Sequence, residues 1–156
     1  MRDFDRGLND RGRRGARLIG QHIRHHGVKW GAVIASPAAR VVQTLEEALP
    51  DSEARYDKRV YLADAETLLD VVREAGDADT VMLAGHNPGL QDLLFALIPP
   101  EHENDLFDEA SVKFPTATFA VLELAIGEWS ELGRDIGKLV HFARPRDLDP
   151  SLGPEA

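Results

Sequence analysis

The sequence contains no cysteine. Disulfides, thiolate nucleophiles and cysteine-ligated zinc are therefore excluded, and the cytoplasm is the expected compartment. No apolar run is long enough to cross a bilayer, and the N-terminus lacks the pattern of a secretory signal, so no membrane partner is expected. Positive charge is also scarce: 18 Lys and Arg stand against 27 Asp and Glu, a formal net charge of −9. A duplex nucleic-acid binder normally carries a basic face. The one basic cluster, Arg2, Arg6, Arg11, Arg13, Arg14 and Arg17, reads as a solvated helix surface, so nucleic acid is not an expected partner. Aromatic residues make up only 6%, and Trp30 and Trp129 read as packing residues rather than base-stacking platforms. In so acidic a chain, a phosphate ligand must be drawn in by a local positive site.

What is present suits a single domain over residues 1–156. The chain is long enough to bury a core, with 43% hydrophobic and 29% charged residues. There is no internal repeat and no low-complexity tract. Helix and strand patterns alternate. Asn9 or Asp10 caps a first helix, whose apolar residues Ala16, Ile19 and Ile23 recur near helical spacing and which Gly27 ends. Ala32–Ala35 and Thr80–Ala84 are short, wholly apolar runs that predict strands buried on both faces. Helices are expected over Val41–Leu49, Ala65–Ala75 and Pro88–Ile98. A polar stretch, Asp51–Lys58, leads into Val60-Tyr61-Leu62. Glu101–Phe114 reads as an acidic surface loop. Phe119–Leu124, Trp129–Leu132 and Leu139–Phe142 read as later strands, and the proline-containing tail from Arg144 as extended. The alternation predicts an α/β sheet with helices on both faces, a design that holds ligands beyond the carboxyl ends of its strands.

Two strand-to-helix junctions carry the chemistry. In Ser36-Pro37-Ala38-Ala39-Arg40, serine suits an N-cap and proline the first helical position. Arg40 then falls in the first turn, beside free backbone N–H groups that attract anions, and its planar fork can bind two phosphate oxygens. Gly85-His86-Asn87-Pro88-Gly89 repeats this grammar, with Asn87 as the cap. His86, at the strand end, can donate to a phosphoryl oxygen or carry a proton near neutral pH. Asn87 can offer phosphate a donor. Together the junctions suit phosphoryl transfer, where catalysis is mostly positioning and charge stabilisation.

At these residues the sequence resembles the histidine phosphatase superfamily, and within it the small SixA-type phosphohistidine phosphatases. Leu8-Asn9-Asp10-Arg11-Gly12 resembles the family's R-P-L-x-x-x-G helix start, with Gly7 where proline is usual. Ser36 to Thr44 resembles its S-P-x-x-R-A-x-Q-T motif, Gly85-His86-Asn87-Pro88 its second histidine motif, and Phe114-Pro115-Thr116-Ala117 a later part of the domain. The resemblance runs from about Asp5 to Leu148. It implies a phosphoglycerate mutase-like, three-layer α/β/α sandwich with a mostly parallel central sheet. It also implies a metal-free and cofactor-free hydrolase of phosphoric monoesters or phosphoramidates. In such a hydrolase a histidine from an N-terminal Arg-His-Gly or Arg-His-Ala motif takes the phosphoryl group, and water then hydrolyses the intermediate. His86 matches the second histidine and Arg40 the second arginine. The implied partner is a phosphorylated protein or a small phosphorylated substrate.

The first motif has no match in residues 1–156. The expectation is a domain without its first strand, impaired in turnover, with that strand encoded upstream of Met1; a true variant with a degenerate site is the other reading. Arg24-His25-His26-Gly27 is no substitute, because it lies at a helix C-terminus rather than after a buried strand, where positive groups favour the dipole. Asp64 and Glu66 are loose candidates for a general acid, equally explained as a helix start. His141, alternating with Val140 and Phe142, reads as structural. A catalytically inactive phosphate-binding relative and a sugar-phosphate phosphatase stay open beside the phosphohistidine phosphatase.

Overall fold

The computed structural model describes residues 2–152. Helix α1 (Asp10–His26) begins at an Asn9 cap. The Asn9 side chain accepts the Gly12 N–H at 2.7 Å, satisfying one of the free donors of the first turn. Gly27 ends the helix at φ 87°, in the left-handed region that glycine enters without steric cost. The buried stripe of α1 includes Ala16, Ile19, Gly20 and Ile23. At Gly20 the end of α2 (Ala39–Ala48) comes so close that a Cβ would overlap the Ala48 carbonyl. Gly20→Val is expected to cost about 2 kcal/mol or more and to lower the melting temperature by roughly 4–8 °C. Thermal unfolding checks this against Gly133→Ala, where the added Cβ meets nothing nearer than 4.0 Å.

Strand β1 (Ala32–Ala35) is the middle of a parallel three-stranded sheet, between β2 (Ala54–Tyr56) and β3 (Val81–Ala84). Successive side chains of a strand point to opposite faces. Ile34 joins a core with Val60, Leu68, Leu69, Leu93 and Leu97, supplied largely by α3 (Ala65–Arg73) and α4 (Gly89–Leu97). Val33 and Ala35 pack on the other face against Val41 and Leu45 of α2. The sheet thus lies between two helical layers, as alternating elements predict.

The remaining strands, β4 (Phe119–Leu124) and β5 (Gly137–Ala143), form a separate antiparallel pair. Among the described residues no ladder joins β3 to β4. Thr80–Ala84 reads as a strand buried on both faces, yet all four residues of β3 are only half buried. The cause is a gap. A cleft of about 1170 Å³ is lined by Val81 and Leu83 on one side and Ala120 and Leu122 on the other. A second, of about 540 Å³, has Met82 and Ala84 facing Phe119 and Ala120. Trp30 lines both, and its indole N–H is buried without an acceptor.

Four segments differ from the sequence expectation. The polar stretch Asp51–Lys58 contains β2, short enough to pass as a loop. Glu101–Phe114 is not an irregular loop. It holds α5 (Asp105–Val112), whose cap Asn104 accepts the Phe107 N–H at 2.9 Å, and acidic residues in its first turn favour the helix dipole. Trp129–Leu132 is not a strand but a 3-10 turn over Trp129–Glu131, with the Trp129 indole donating to the Ala78 carbonyl. The tail is not extended at Arg144. Pro145 opens a short helix α6 (Pro145–Leu148), and Asp147 accepts the Arg144 N–H at 3.0 Å. Proline at a first helical position is pre-set for that geometry. The rest of the expected tail, residues 153–156, lies outside the described residues.

Candidate active site

The two junctions leave the sheet side by side, because the register sets Ala35 of β1 against Ala84 of β3. Ser36 follows the first strand and His86 the second. They meet directly, with His86 Nε2 2.8 Å from Ser36 Oγ. Ser36 is fully buried, and its hydroxyl accepts the Ala38 N–H at 3.2 Å. A hydroxyl donates as well as accepts. Beside the lone pair that takes the Ala38 N–H, the Ser36 hydroxyl keeps a second lone pair and its proton, so it can pair with Nε2 in either tautomer of the ring. Burial holds the His86 imidazole below its ordinary range, the Arg40 charge adds to this, and Asp3 opposes it.

Helix α2 begins at Ala39, later than the Ser-Pro pair suggests, with Ala38 as its cap. Ser36 still organises the turn through the Ala38 N–H, and Arg40 stays in the first turn. The Arg40 guanidinium grips a carboxylate. Nη1 donates to Asp3 Oδ1 at 2.9 Å and Nη2 to Oδ2 at 3.3 Å. The Tyr61 hydroxyl donates to the same Oδ2 at 2.8 Å. Arg40 first, and Tyr61 second, hold the Asp3 carboxyl below the usual carboxylate range. Asp3 in turn pushes the Tyr61 phenol up. The Tyr61 ring stands edge-on to His86 at 5.3 Å, and Phe4 stands edge-on to Tyr61 at 5.0 Å. Asp3, Arg40, Tyr61 and His86 therefore form one constellation.

Sequence reasoning finds Arg40 and His86 and misses Asp3 and Tyr61. Asp3 lies in a three-residue turn ahead of α1, 37 positions from Arg40, and no local spacing marks it. Tyr61 is hidden in an apolar triplet. It is followed by Leu62, which takes a left-handed φ of 51°, a costly conformation for a side chain of that size. Gly89, the first residue of α4, lets that helix close on the same loop: a Cβ there would overlap the Ala63 carbonyl.

Asn87 has its side chain engaged within the protein. Nδ2 donates to the Phe114 carbonyl at 2.6 Å, and Oδ1 accepts the Gln91 N–H at 3.2 Å. Asp64 caps α3, accepting the Thr67 N–H at 2.9 Å, and that bond leads the interactions keeping its carboxyl below the usual range. Glu66 pairs with Arg134. Among the described residues there is no cluster of His, Cys, Asp or Glu able to hold a metal ion, and no helix is long and apolar enough to cross a membrane.

His25 and His26 are exposed at the end of α1. The His26 ring lies tilted against His141 at 4.6 Å, and His141 Nε2 lies 2.7 Å from His22 Nε2. Burial first, then the charges of His26 and His22, hold the His141 imidazole below its ordinary value of 6.5. A histidine lowered in the folded state takes up fewer protons there than in the unfolded chain. Stability is then intact above the unfolded value and declines as pH falls from it through the folded value. The melting temperature is expected to drop on acidification from pH 7.5 through the ordinary imidazole range. His141→Asn should flatten that drop, leaving the share due to His86.

Comparison with known proteins places the chain in a family. The family model of the histidine phosphatase superfamily (branch 1) matches residues 2–67, which include Asp3, Ser36, Arg40 and Tyr61. An uncharacterised protein of Mycobacterium leprae is 34% identical over 145 residues, spanning 92% of this chain and 89% of the relative. A protein of Nakamurella multipartitia, assigned as the phosphohistidine phosphatase SixA, superposes with a TM-score of 0.81 at 30% identity. The match covers 93% of this chain and 88% of that one. A second, from Agrobacterium tumefaciens and likewise assigned, gives 0.75 at 31% identity, with 93% and 87% covered. The paired junctions, the parallel sheet between helical layers and these likenesses have one common reading: the chain belongs to the histidine phosphatase superfamily and has the fold of the SixA-like phosphatases.

Proposed function

We propose that residues 1–156 form the phosphoryl-binding part of a phosphatase. Its substrate is a phosphohistidine or a similar phosphomonoester, on a phosphorylated protein or a small molecule, and the reaction runs through a phosphohistidine enzyme intermediate. The observation that carries this reading is the convergence of Arg40 and His86 at neighbouring strand ends, with Arg40 already gripping an oxyanion. Preorganised positive and donor groups of this kind are what phosphoryl transfer requires.

In this reading the attacking imidazole rides on a strand that fills the gap between β3 and β4. Three features favour such an occupant. Among the described residues each strand has one edge without a partner, and such edges recruit a further strand. The cleft between them is lined with apolar side chains. The buried Trp30 N–H lacks the acceptor that a strand carbonyl would supply. The carboxyl end of β3 leads straight into Gly85 and His86, so an occupant parallel to β3 ends at the site.

The chemistry then runs in two displacements. An imidazole nitrogen forms a bond to phosphorus as the bond to the leaving group breaks, and the leaving group departs with that electron pair. A phosphoryl dianion beside His86 counteracts the burial and the Arg40 charge and favours the imidazolium, which can hand its proton to the leaving nitrogen or oxygen. Water next attacks phosphorus and gives a proton to the now neutral His86, the phosphorus–imidazole bond breaks with its electron pair returning to the ring nitrogen, and phosphate is released. Arg40 holds the phosphoryl oxygens throughout. Asn87 serves by fixing the loop that carries His86 to Phe114 and Gln91.

The test is phosphate release from a phosphohistidine peptide by the chain extended upstream with a strand ending in Arg-His-Gly. Release that survives chelators and collapses in His86→Ala supports the reading. Release abolished by chelators, or indifferent to His86→Ala, contradicts it. For the alternative, a non-catalytic phosphate binder, the extended chain binds phosphate without turning over.

A further inference from the structure

Arg40 offers a planar fork and Tyr61 a hydroxyl, and both are directed at one carboxylate. The three contacts, 2.9 Å and 3.3 Å from Arg40 and 2.8 Å from Tyr61, involve both carboxylate oxygens of Asp3, and Arg40 Nη1 also donates to the Asp3 backbone carbonyl at 3.2 Å. A guanidinium fork accepts the paired oxygens of a carboxylate or of a phosphoryl group in the same way. The Asp3 side chain is half exposed and belongs to a three-residue turn. Exposed ion pairs contribute little to stability, so the fold does not depend on the contact. The Tyr61 ring also lies edge-on to His86, so the seat that Asp3 fills opens beside the second phosphoryl-handling residue.

We propose that Asp3 is a displaceable occupant of the phosphoryl seat, and that Tyr61 is a phosphate ligand working beside Arg40. This rests on the phosphatase reading of Arg40 and His86 and adds to it a gate and a third donor. A phosphoryl group brings a charge of about −1.5 to −2 at pH 7 and three acceptor oxygens, against one charge and two oxygens for the aspartate. It therefore displaces Asp3, whereas a singly charged carboxylate ligand gains nothing by the exchange. The gate sets an affinity threshold that favours phosphoryl groups over the monoanionic carboxylates of the surrounding solution.

Isothermal titration with orthophosphate at fixed ionic strength tests the gate on the 156-residue chain. Asp3→Asn and Asp3→Ala are expected to bind about tenfold more tightly than the parent. Adding Tyr61→Phe to Asp3→Ala should weaken binding again by roughly three- to tenfold. Because Asp3 is exposed, neither change at that position puts folding at stake. If both Asp3 variants bind no better than the parent while Arg40→Ala still weakens binding, the gate is overturned and the phosphatase reading stands. If Tyr61→Phe changes nothing in the Asp3→Ala background, Tyr61 is not a ligand. If Arg40→Ala leaves affinity unchanged, the underlying reading fails with the gate.

Discussion

Completing the sheet with a strand that ends in Arg-His-Gly is expected to raise kcat for phosphohistidine hydrolysis by on the order of a millionfold over residues 1–156 alone. Loss of a covalent nucleophile costs about that much in enzymes whose catalytic groups act as a unit. In the proposed function the described residues supply the receiving half of such a unit: Arg40 would bind the transferred group, and His86, in contact with buried Ser36, would move a proton. Burial, and then the Arg40 charge, disfavour the His86 imidazolium, and its ring is already in contact with Ser36, so by itself it is poorly placed to be both nucleophile and acid. A second signature should accompany the rate. β3 and β4 would gain ladder partners, and the amides of Val81–Ala84 and Phe119–Leu124 should exchange more slowly with solvent. Turnover that rises without this protection would mean that the strand acts somewhere other than the gap.

Arg40→Ala should weaken orthophosphate binding by roughly ten- to a hundredfold. Hydrogen bonds to charged groups are the stronger class, and Arg40 contributes two through a fixed fork. Arg40→Lys should recover only part of the loss, because an ammonium keeps the charge but not the planar pair of donors. In the extended enzyme, Arg40→Ala should lower kcat/KM by more than it raises KM, since the equatorial oxygens of the transferred group carry the developing charge. Full recovery of phosphate affinity in Arg40→Lys would show that the charge alone, and not the fork, is recognised.

Local rules carry far in this chain because the elements that hold the site obey them. Asn9 and Gly27 bound α1 as capping chemistry dictates, and the apolar runs at 32–35 and 81–84 became the neighbouring parallel strands whose ends hold Ser36 and His86. The placement of Arg40 and His86 at neighbouring junctions was legible because strand-to-helix junctions have a strong sequence grammar. Asp3 and Tyr61 were not, since their contact spans 58 positions and depends on where a short turn falls once α1, α2 and α3 have packed. The acidic segment before Phe114 concealed α5 for a different reason: its helix is held by the Asn104 cap and a buried Ala110, signals too slight to outweigh its charge. The half-buried β3 also escaped its sequence, because burial of a strand is decided by its neighbours, and its outer neighbour is a gap. The absent Arg-His motif and the gap at β3 are two observations of different kinds, one from the sequence and one from the fold.

The most direct test of the phosphoryl-binding site follows the His86 ring nitrogens by ¹⁵N NMR while orthophosphate is added to the 156-residue chain. A phosphate seated beside His86 should move the ring toward the imidazolium, with a saturating shift that weakens in Arg40→Ala and sharpens in Asp3→Asn. Ring resonances that stay fixed while phosphate binds elsewhere, or that respond equally with and without Arg40, would contradict a shared site for Arg40 and His86.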